Sequence, residues 1–438
     1  MYLRKSVLSA LVVTLLGIFL AASLPACSSQ QPAGLVTVSG QALASGSPAA
    51  DAAQPKNLIL LIGDGMGESH IAATRYFYLG REGRLAMEKM PVFTQVHTFM
   101  NNGITTDSAA AGTAIATGVL TNRGVISQNP AGESVLDRSL LMLAKREGKS
   151  TGLITEVPIT HATPAPFAAQ VASRRDEAGI AVQYLDHRVD LLLGGGERFF
   201  VPAGSGVHCP EEARTTGEPP LGRADGRDLL AEFRAGGYQV VTNRAELMAA
   251  PLGAKAIGLF ACRAMAYDLE RPAHEPTSAE KLSQALEALN RNPKGFFVMA
   301  ERGRIDWAAE ANDALNTLGD TRAFDEMVRV ALEFARRDGQ TLVIAIADHE
   351  AGGLAMVFPD RFREPQYPPF GRDEIPNNRL TSKDGLELPI NFATQPGHTA
   401  VPVGVRAFGP GATKLHEFNG SQHFVDLYAL MRRVFIGD

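Results

Sequence analysis

The sequence has little cysteine, little tryptophan and no excess of positive charge, and each shortage excludes a class of protein. Its 438 residues include three cysteines and one tryptophan, and the formal net charge is −5. There is no C-x-x-C pair and no zinc-finger spacing, so a cysteine-based metal site is not expected. An acidic balance argues against a nucleic-acid-binding protein, which is usually basic. We therefore expect no nucleic-acid partner.

The remaining composition is that of a globular protein. Hydrophobic residues make up 45% of the chain and charged residues 20%, which is ordinary for a protein that buries a real core. The length allows one large domain or two to three smaller ones. After the N-terminal segment, no run is long and apolar enough to span a membrane.

The N-terminal segment predicts export. Arg4 and Lys5 precede an apolar run that ends at about Leu20, which is typical of a signal peptide over residues 1–26. The following letters LPAC, which end at Cys27, resemble a bacterial lipobox. That resemblance implies a lipidated Cys27 as the first mature residue. An ordinary cleavable signal and an uncleaved anchor are the alternatives.

A tether and a catalytic domain are predicted after the signal. Residues 27–56 are rich in Ser, Ala, Gly, Pro and Gln, as in a flexible linker, and residues 57–438 form the expected folded domain. Ser28 and Ser29 resemble the sorting signal of outer-membrane lipoproteins. We therefore expect a protein anchored in the bacterial outer membrane, facing the periplasm or the cell surface. Without the two cations of the signal the net charge is −7.

Two cysteines, Cys209 and Cys262, fall in the predicted folded domain. In an oxidising compartment they are expected to form a disulfide. The alternative is a pair of buried thiols, because the sequence does not show whether their Cα atoms approach each other.

Apolar runs alternate with helical patterns from Asn57 onward. The strand candidates are NLILLIG, STGLITEV, VDLLLGGG, GFFVMAE, TLVIAIAD and VPVGVRAFG. Helical spacing is clear in RAFDEMVRVALEFARRDG, and TSAEKLSQALEALN opens with a capping box from Thr277 to Glu280. This alternation predicts an α/β fold, with a mostly parallel sheet covered by helices on both faces. The segment from Phe358 to Gly397 has little periodicity and is predicted to be a long excursion near the active face.

Ser108 stands at the start of a run of small residues, TTDSAAAGTAIATG. The run predicts a tightly packed helix with Asp107 or Ser108 at its N-terminus, where unpaired N–H groups favour anions. The flanking residues do not form the G-x-S-x-G elbow of an esterase. An ordinary N-cap is the alternative interpretation of this serine.

Acids, histidines and one threonine follow most of the predicted strands. The residues concerned are Asp64, His161, Thr163, Glu301, Asp306, Asp348, His349 and His398. In a doubly wound sheet the carboxyl ends of the strands lie at one rim, where ligands bind. Crowded carboxylates would repel one another, so this pattern implies cations between them. Mixed Asp and His ligands suit zinc, and carboxylate with hydroxyl suits magnesium.

Six motifs together resemble one family. GDGMG, TTDSAAAGTAIATG, HATPAPFAAQVASRRD, ERGRID, ADHE and GHT occur in this order, and the set resembles the alkaline phosphatase family from Asn57 to the C-terminus. The resemblance implies a hydrolase of phosphate monoesters that works through a phosphoserine. It makes Ser108 the nucleophile and Arg174 the phosphate clamp, with Asp107 orienting Arg174; Arg175 is the less favoured neighbour.

The resemblance also implies three metal positions, two for zinc and a third usually for magnesium. One zinc would be held by Asp64, Ser108, Asp348 and His349, the other by Asp306 and His398, and the third ion by Asp64, Thr163 and Glu301. His161 falls at a further position of the third site, where a histidine leaves open whether zinc or magnesium binds.

The chain departs from the family pattern at two positions. Glu310 stands where the pattern has a histidine, four residues after Asp306 on the same helix face. Glutamate can ligate zinc, but the added charge would shift preference toward harder ions such as Mg²⁺ or Mn²⁺; the alternative is a weak or empty site. Trp307 replaces the Lys or His of some members and offers a stacking face to the substrate, while nearby Arg304 partly replaces the lost charge.

Two other functions remain open at this stage. One is a phosphodiesterase or sulfatase of the same superfamily, although no C/S-x-P-x-R motif surrounds Ser108. The other is a catalytically weak phosphate-binding surface lipoprotein. The physiological phosphate ester and the possible homodimer are not determined by the sequence.

Overall fold

A nine-stranded sheet runs through the described part of the protein. The computed structural model describes residues 54–209, 221–249, 251–356, 380–388, 390–393, 397–417 and 422–437. The strands of this sheet are β1 (Asn57–Gly63), β2 (Val92–Val96), β3 (Ser150–Pro158), β4 (Leu191–Gly195), β5 (Gln239–Val241), β6 (Ala256–Leu259), β7 (Phe296–Arg302), β8 (Thr341–Ala347) and β15 (Val403–Phe408). Their order is β2-β15-β8-β1-β7-β3-β4-β6-β5.

The sheet is parallel except at one edge. All pairs from β8 through β5 are parallel, whereas β15 is antiparallel to both β8 and β2. The central strands β1, β7 and β8 are buried along their whole length. Continuous apolar runs of this kind suit a strand that is covered on both faces. The predicted mostly parallel α/β fold is therefore confirmed.

Helices flank the sheet, and several of them pack against one another. They are α1 (Glu68–Leu79), α2 (Ser108–Thr117), α3 (Leu140–Arg146), α4 (Glu177–Asp186), α5 (Leu229–Ala235), α6 (Arg244–Ala249), α7 (Ser278–Leu289), α8 (Arg304–Glu310), α9 (Ala314–Asp338) and α10 (Phe424–Phe435). One group is built around α9, which contacts α1, α7 and α8; in the other, α2 contacts α3 and α10. The predicted capping box of Thr277 and Glu280 is present at α7.

The described residues beyond β8 include six two-residue strands. They are β9 (Glu350–Ala351), β10 (Ala355–Met356), β11 (Leu380–Thr381), β12 (Glu387–Leu388), β13 (Ile390–Asn391) and β14 (His398–Thr399). β14 pairs antiparallel with β9, with His398 opposite Ala351. This pairing brings His398 and Thr399 next to the residues that follow β8.

The predicted disulfide between Cys209 and Cys262 is present, with Cα atoms 5.0 Å apart. The predicted signal peptide, Cys27 and almost all of the tether lie outside the described residues, as does much of the segment from Phe358 to Gly397. Among the described helices, none combines the length and the apolar character that a bilayer crossing requires.

Candidate active site

The polar residues at the strand ends meet at one rim of the sheet. Asp64 follows β1, Glu301 lies near the end of β7, and Asp348 follows β8. These three strands are neighbours in the order β8-β1-β7, so parallel pairing places their carboxyl ends together. With Asp306 of α8, His349 and His398 they form what we call the strand-end cluster. Gly65 permits the close packing there, because it has a φ of +72° and a Cβ would lie 2.8 Å from the Cα of Asp306.

Helix α2 places Ser108, its first residue, beside the strand-end cluster. Asp107 is the N-cap, and its side chain accepts a hydrogen bond from the Ala110 N–H. All ten residues of α2 are buried. At Gly112 a Cβ would lie 3.3 Å from the Ala162 carbonyl oxygen, so the small side chains let the helix pack closely on the segment that follows β3. The small-residue run thereby fixes the position of the serine.

The Ser108 hydroxyl faces acidic and imidazole groups. Its Oγ lies 3.3 Å from His349 Nε2 and 3.5 Å from both carboxylate oxygens of Asp64. Thr163 donates to Asp64 Oδ2 at 3.4 Å, and His349 Nε2 is 3.3 Å from Asp348 Oδ2. Every one of these side chains is buried.

Burial and mutual repulsion disturb the acids of the strand-end cluster. Burial, followed by the charges of Asp348, Asp306 and Glu301, raises the pKa of Asp64 well above its usual value. Burial likewise raises the pKa of Glu301 to about 8 and that of Asp306 to about 7. Without cations, therefore, it is electrostatically unfavourable for these buried carboxylates to be ionised at the same time.

The histidines of the strand-end cluster differ in their surroundings. Burial lowers the pKa of His349 well below its usual value, which favours the neutral imidazole that ligates metals. The Nδ1–H of His398 donates to the Thr106 carbonyl at 2.8 Å, leaving Nε2 to face Asp306 at 3.5 Å and Glu310 at 3.4 Å. Burial opposes protonation of His398, but those two acids outweigh it and raise its pKa to about 9.

Three combinations of these side chains have the geometry of a metal site. Their ligand atoms lie within 4.8 Å of one another in the groups Asp64 with Asp348 and His349, Asp64 with His161 and Glu301, and Asp306 with His349 and His398. Both carboxylate oxygens of Glu301, Asp306 Oδ1, Asp348 Oδ2 and His161 Nδ1 are buried without a hydrogen-bond partner. Orphaned buried acceptors of this kind fit divalent cations.

Glu310 lies at the outer side of the cluster. It contacts His398 but belongs to none of the three groups, and its side chain is 33% exposed. The hydrogen bond with His398 lowers the pKa of Glu310. Glu310 thus lies near the group of Asp306, His349 and His398 without being part of it.

Arg174 lies across the same pocket. Its Nη1 donates to Asp107 Oδ2 and its Nη2 to His161 Nε2, both at 3.0 Å, so the guanidinium is held from two sides. The ring of Trp307 meets that of His161 edge-on at 6.0 Å. Asp107, Ser108, Arg174 and Trp307, the predicted substrate-binding residues, all line this pocket.

The sequence interpretation missed part of the pocket wall. The cavity has a volume of about 850 Å³, and its lining includes Arg123, Arg174, Arg175, Arg198, Arg263 and Arg304. Arg198 follows the strand candidate VDLLLGGG by two residues. Its place just after a predicted parallel strand was the sequence signal that could have identified it as a pocket residue. Arg263 follows β6, a strand too short to be recognised from its pattern.

A family model described as alkaline phosphatase matches residues 55–366. Among curated relatives, alkaline phosphatase 4 of Bacillus subtilis is 38% identical over 257 residues, 57% of this chain and 50% of that protein. The chain therefore spans half the length of that relative. Streptomycin-6-phosphate phosphatase of Streptomyces griseus is 32% identical over 406 residues, 80% of this chain and 84% of that protein.

A solved structure supports the same relationship. The alkaline phosphatase of the Antarctic bacterium TAB5 superposes with a TM-score of 0.71 at 28% identity, covering 87% of this chain and 98% of that one. A variant of that enzyme has Mg bound in a site designated M3 and superposes with a TM-score of 0.70 over the same share of each chain.

Proposed function

Because this chain belongs to the alkaline phosphatase family, we propose that it hydrolyses phosphate monoesters through a phosphoserine at Ser108. The observation that supports this most directly is the position of the Ser108 hydroxyl. It lies at the first turn of a buried helix, 3.3 Å from His349 Nε2, in a pocket shared with the Arg174 guanidinium. The proposed nucleophile, a helix N-terminus that favours anions and the proposed phosphate clamp thus share one pocket.

In the proposed first step the Ser108 hydroxyl loses its proton to solvent and its oxygen attacks phosphorus. The bond from phosphorus to the leaving oxygen breaks, and that oxygen takes up a proton from solvent and departs as an alcohol. The N-terminal amides of α2 and the guanidinium of Arg174 receive the non-bridging phosphoryl oxygens. Asp107 keeps Arg174 in place through their ion pair. Water then attacks the phosphoserine, which releases inorganic phosphate and restores the hydroxyl.

We further propose two zinc ions and a third ion that is magnesium or zinc. Asp64, Asp348, His349 and Ser108 would hold the first zinc, Asp306, His398 and Glu310 the second, and Asp64, Thr163, Glu301 and His161 the third ion. Bound divalent ions would neutralise the strand-end cluster and lower the pKa of a coordinated hydroxyl. The unpartnered buried carboxylate oxygens support this assignment.

The test is hydrolysis of p-nitrophenyl phosphate by the full chain with Zn²⁺ and Mg²⁺. Ser108→Ala should lower kcat by roughly a thousandfold or more, because it removes the nucleophile. Ser173→Ala is a matched control, since that serine lines the same pocket and has no assigned role. Acid quenching followed by peptide mass spectrometry should find phosphate on Ser108 in the parent. Equal activity of parent and Ser108→Ala, or faster cleavage of bis(p-nitrophenyl) phosphate, would contradict the proposal.

We also propose that residues 1–26 are a signal peptide and that lipid on Cys27 anchors residues 57–438 through the tether, on the outer membrane. Basic residues, an apolar run and LPAC support this proposal. Metabolic labelling with palmitate should mark the parent protein, and Cys27→Ser should lose the label and appear in the soluble fraction. Labelled Cys27→Ser would contradict the anchor. A homodimer is a further possibility, which sedimentation of the protein without residues 1–26 would test.

A further inference from the structure

A row of cations lies at the edge of the sheet opposite Ser108. The parallel strands β1, β7, β3, β4 and β6 are neighbours in that order, and each follows a lysine or arginine within three positions. These cations, which we call the basic rim, are Lys56 before β1, Lys294 before β7, Lys149 before β3, Arg188 before β4 and Lys255 before β6. Because the strands are parallel, the basic rim lies where they begin, whereas the candidate active site lies where they end.

The cations of the basic rim are neighbours in space. Lys149 Nζ donates to the backbone carbonyl oxygens of Lys56 and Lys294 at 2.9 and 3.1 Å, which joins the segments before three of the strands. The pairing of β3 with β4, continued by three residues, sets Arg188 level with Lys149. Adjacent strands are about 4.8 Å apart, so the basic rim spans about 20 Å.

Carboxylates do little to neutralise the basic rim. Lys294 and Arg188 are exposed, and no described carboxylate forms an ion pair with any of the five cations. The loops that lead into these strands contain two acids, Glu147 and Asp190. Asp190 Oδ2 accepts hydrogen bonds from the N–H and the hydroxyl of Thr151, both at 2.9 Å. This edge of the sheet consequently carries a local excess of positive charge on a chain whose formal net charge is −5.

The chain enters the described fold at the same edge. Gln54, the first described residue, donates from Nε2 to the Phe435 carbonyl at 3.1 Å, and the Lys56 N–H donates to the Gln340 carbonyl at 2.9 Å. The predicted tether therefore joins the folded domain beside the basic rim. Asp64, at the far end of β1, is about 26 Å from Lys56 at roughly 3.3 Å per residue.

From this arrangement we propose that the basic rim binds an anionic membrane surface, so that the pocket of Ser108 opens away from the bilayer. The inference rests on the proposed lipid anchor, which would hold this edge of the domain close to a membrane. Lipid phosphates fit as the partner because they are anionic and lie in a plane, which a row of cations about 20 Å long can contact together. The same surface would repel the acidic remainder of the chain, and that repulsion favours this one orientation.

The first experiment measures binding without the anchor. The chain without residues 1–26 and with Cys27→Ser, which removes the lipidation site, is sedimented with vesicles of phosphatidylcholine, alone or mixed with phosphatidylglycerol. It should sediment with the mixed vesicles and remain in the supernatant with phosphatidylcholine alone. About 0.5 M NaCl should release it, because salt screens the attraction between exposed charges. Binding to both kinds of vesicle alike, or to neither, would overturn the proposal.

Substitutions on the basic rim sharpen this test. Each lysine or arginine near an anionic surface strengthens binding by roughly fivefold, so R188Q/K294Q should lower the partition coefficient by roughly twentyfold or more. Both side chains are exposed, and hydrolysis of p-nitrophenyl phosphate should remain as in the parent. Arg329→Gln, which removes an exposed cation from α9, is the matched control and should bind as the parent does. If the double variant does not fold, Lys294→Gln alone should still bind roughly fivefold more weakly.

The second experiment measures orientation in the full, lipid-anchored chain. After reconstitution into either kind of vesicle, a water-soluble amine reagent is applied and the modified lysines are quantified by peptide mass spectrometry. Lys294 should react several-fold more slowly on the mixed vesicles than on phosphatidylcholine alone. The exposed Lys383, between β11 and β12, is the internal control and should react equally on both. Equal reaction of Lys294 on both kinds of vesicle would contradict the proposed orientation.

The outcomes separate this proposal from the anchor. Palmitate on the parent, together with vesicle binding that does not depend on lipid charge, would overturn the docking surface and leave the anchor intact. If the parent takes up no palmitate, the anchor fails by itself, and the first experiment still decides whether the basic rim binds anionic lipid. Retention on heparin–agarose without binding to the mixed vesicles would indicate a different polyanion as the partner and would also overturn the proposal.

Discussion

Two groups of buried acids lie side by side in this protein and differ in the cations that the chain supplies to them. One is the strand-end cluster; the other, which we call the buried ion-pair network, consists of Glu156, Lys281, Arg302 and Asp320. Arg302 Nε donates to Asp320 Oδ1 at 2.8 Å and lies 3.6 Å from Glu156. Arg302 directly follows Glu301 on β7, and adjacent strand residues point to opposite faces.

The difference lies in the source of the positive charge. Burial raises the pKa of Asp320 to about 6, with Arg302 opposing, and burial lowers that of Lys281 to about 7, with Glu156 opposing. In the buried ion-pair network, the chain thus supplies its own cations. In the strand-end cluster Asp64, Glu301 and Asp348 have no arginine or lysine paired with them among the described residues, which is why we propose that ions from solution bind there. Charge deletion should therefore have opposite effects in the two regions.

The largest effect is expected for Arg302→Met. Removing the cation leaves Asp320 buried without its ion-pair partner, so the free energy of unfolding should fall by about 3–5 kcal/mol. Urea denaturation measures it. Arg329→Met, which breaks only exposed ion pairs on α9, should cost no more than about 1 kcal/mol. Equal effects of the two substitutions would show that the buried ion-pair network is not a compensated charge group.

The next effect is the response of the strand-end cluster to metals. After chelation, Zn²⁺ and Mg²⁺ at about a hundredfold excess over Kd should add about 2.7 kcal/mol to the free energy of unfolding for each independent site. Asp64→Asn should lose that gain and yet be more stable than the parent in chelator, because it removes a buried carboxylate that lies among other acids. Arg302→Met should still respond to the metals. A less stable Asp64→Asn in chelator would contradict the contrast between the two regions.

The pH dependence of the chelated protein should be smaller than the combined response to metals at the three proposed sites, on the order of 4 kcal/mol. The folded pKa of Glu301 is raised from 4.5 to about 8, so between these values the folded state binds more protons than the unfolded state. The free energy of unfolding must therefore fall as pH rises from about 5 to 8. Glu301→Gln should show a shallower decline, measured by urea denaturation at each pH. A decline as steep as that of the parent would mean that Glu301 is ionised throughout.

The smallest stability effect is expected at Glu310, which is only half-buried. Glu310→His should change the free energy of unfolding in chelator by about 0.5 kcal/mol or less, but it should raise the ratio of bound Zn²⁺ to bound Mg²⁺ or Mn²⁺, because imidazole is a softer ligand than carboxylate. Elemental analysis of purified protein measures the ratio, with the exposed Glu333→His as control. An unchanged ratio would mean that Glu310 is not a ligand.

The sequence by itself determined the local features of this protein. Strands such as β1, β7 and β8 are recognisable because a continuous apolar run is needed when both faces of a strand are buried. The N-terminus of α2 and the capping box of α7 are likewise encoded within a few residues, since a cap satisfies backbone groups of the same turn. The ordered motifs then identified which strand-end acids and histidines to expect at one rim.

Only the tertiary structure decided which of these local features become neighbours. Nothing near Val403 indicates that β15 lies antiparallel between β8 and β2, and nothing near His398 indicates that β14 pairs with β9 beside His349. The separation of the strand-end cluster from the buried ion-pair network also follows from the fold, because Glu301 and Arg302 are adjacent in sequence. So does the gathering of several arginines in one pocket wall, because they lie in segments that follow different strands. Such pairings join segments far apart in the chain, and their free energy depends on how the whole sheet packs, which no short window of sequence contains.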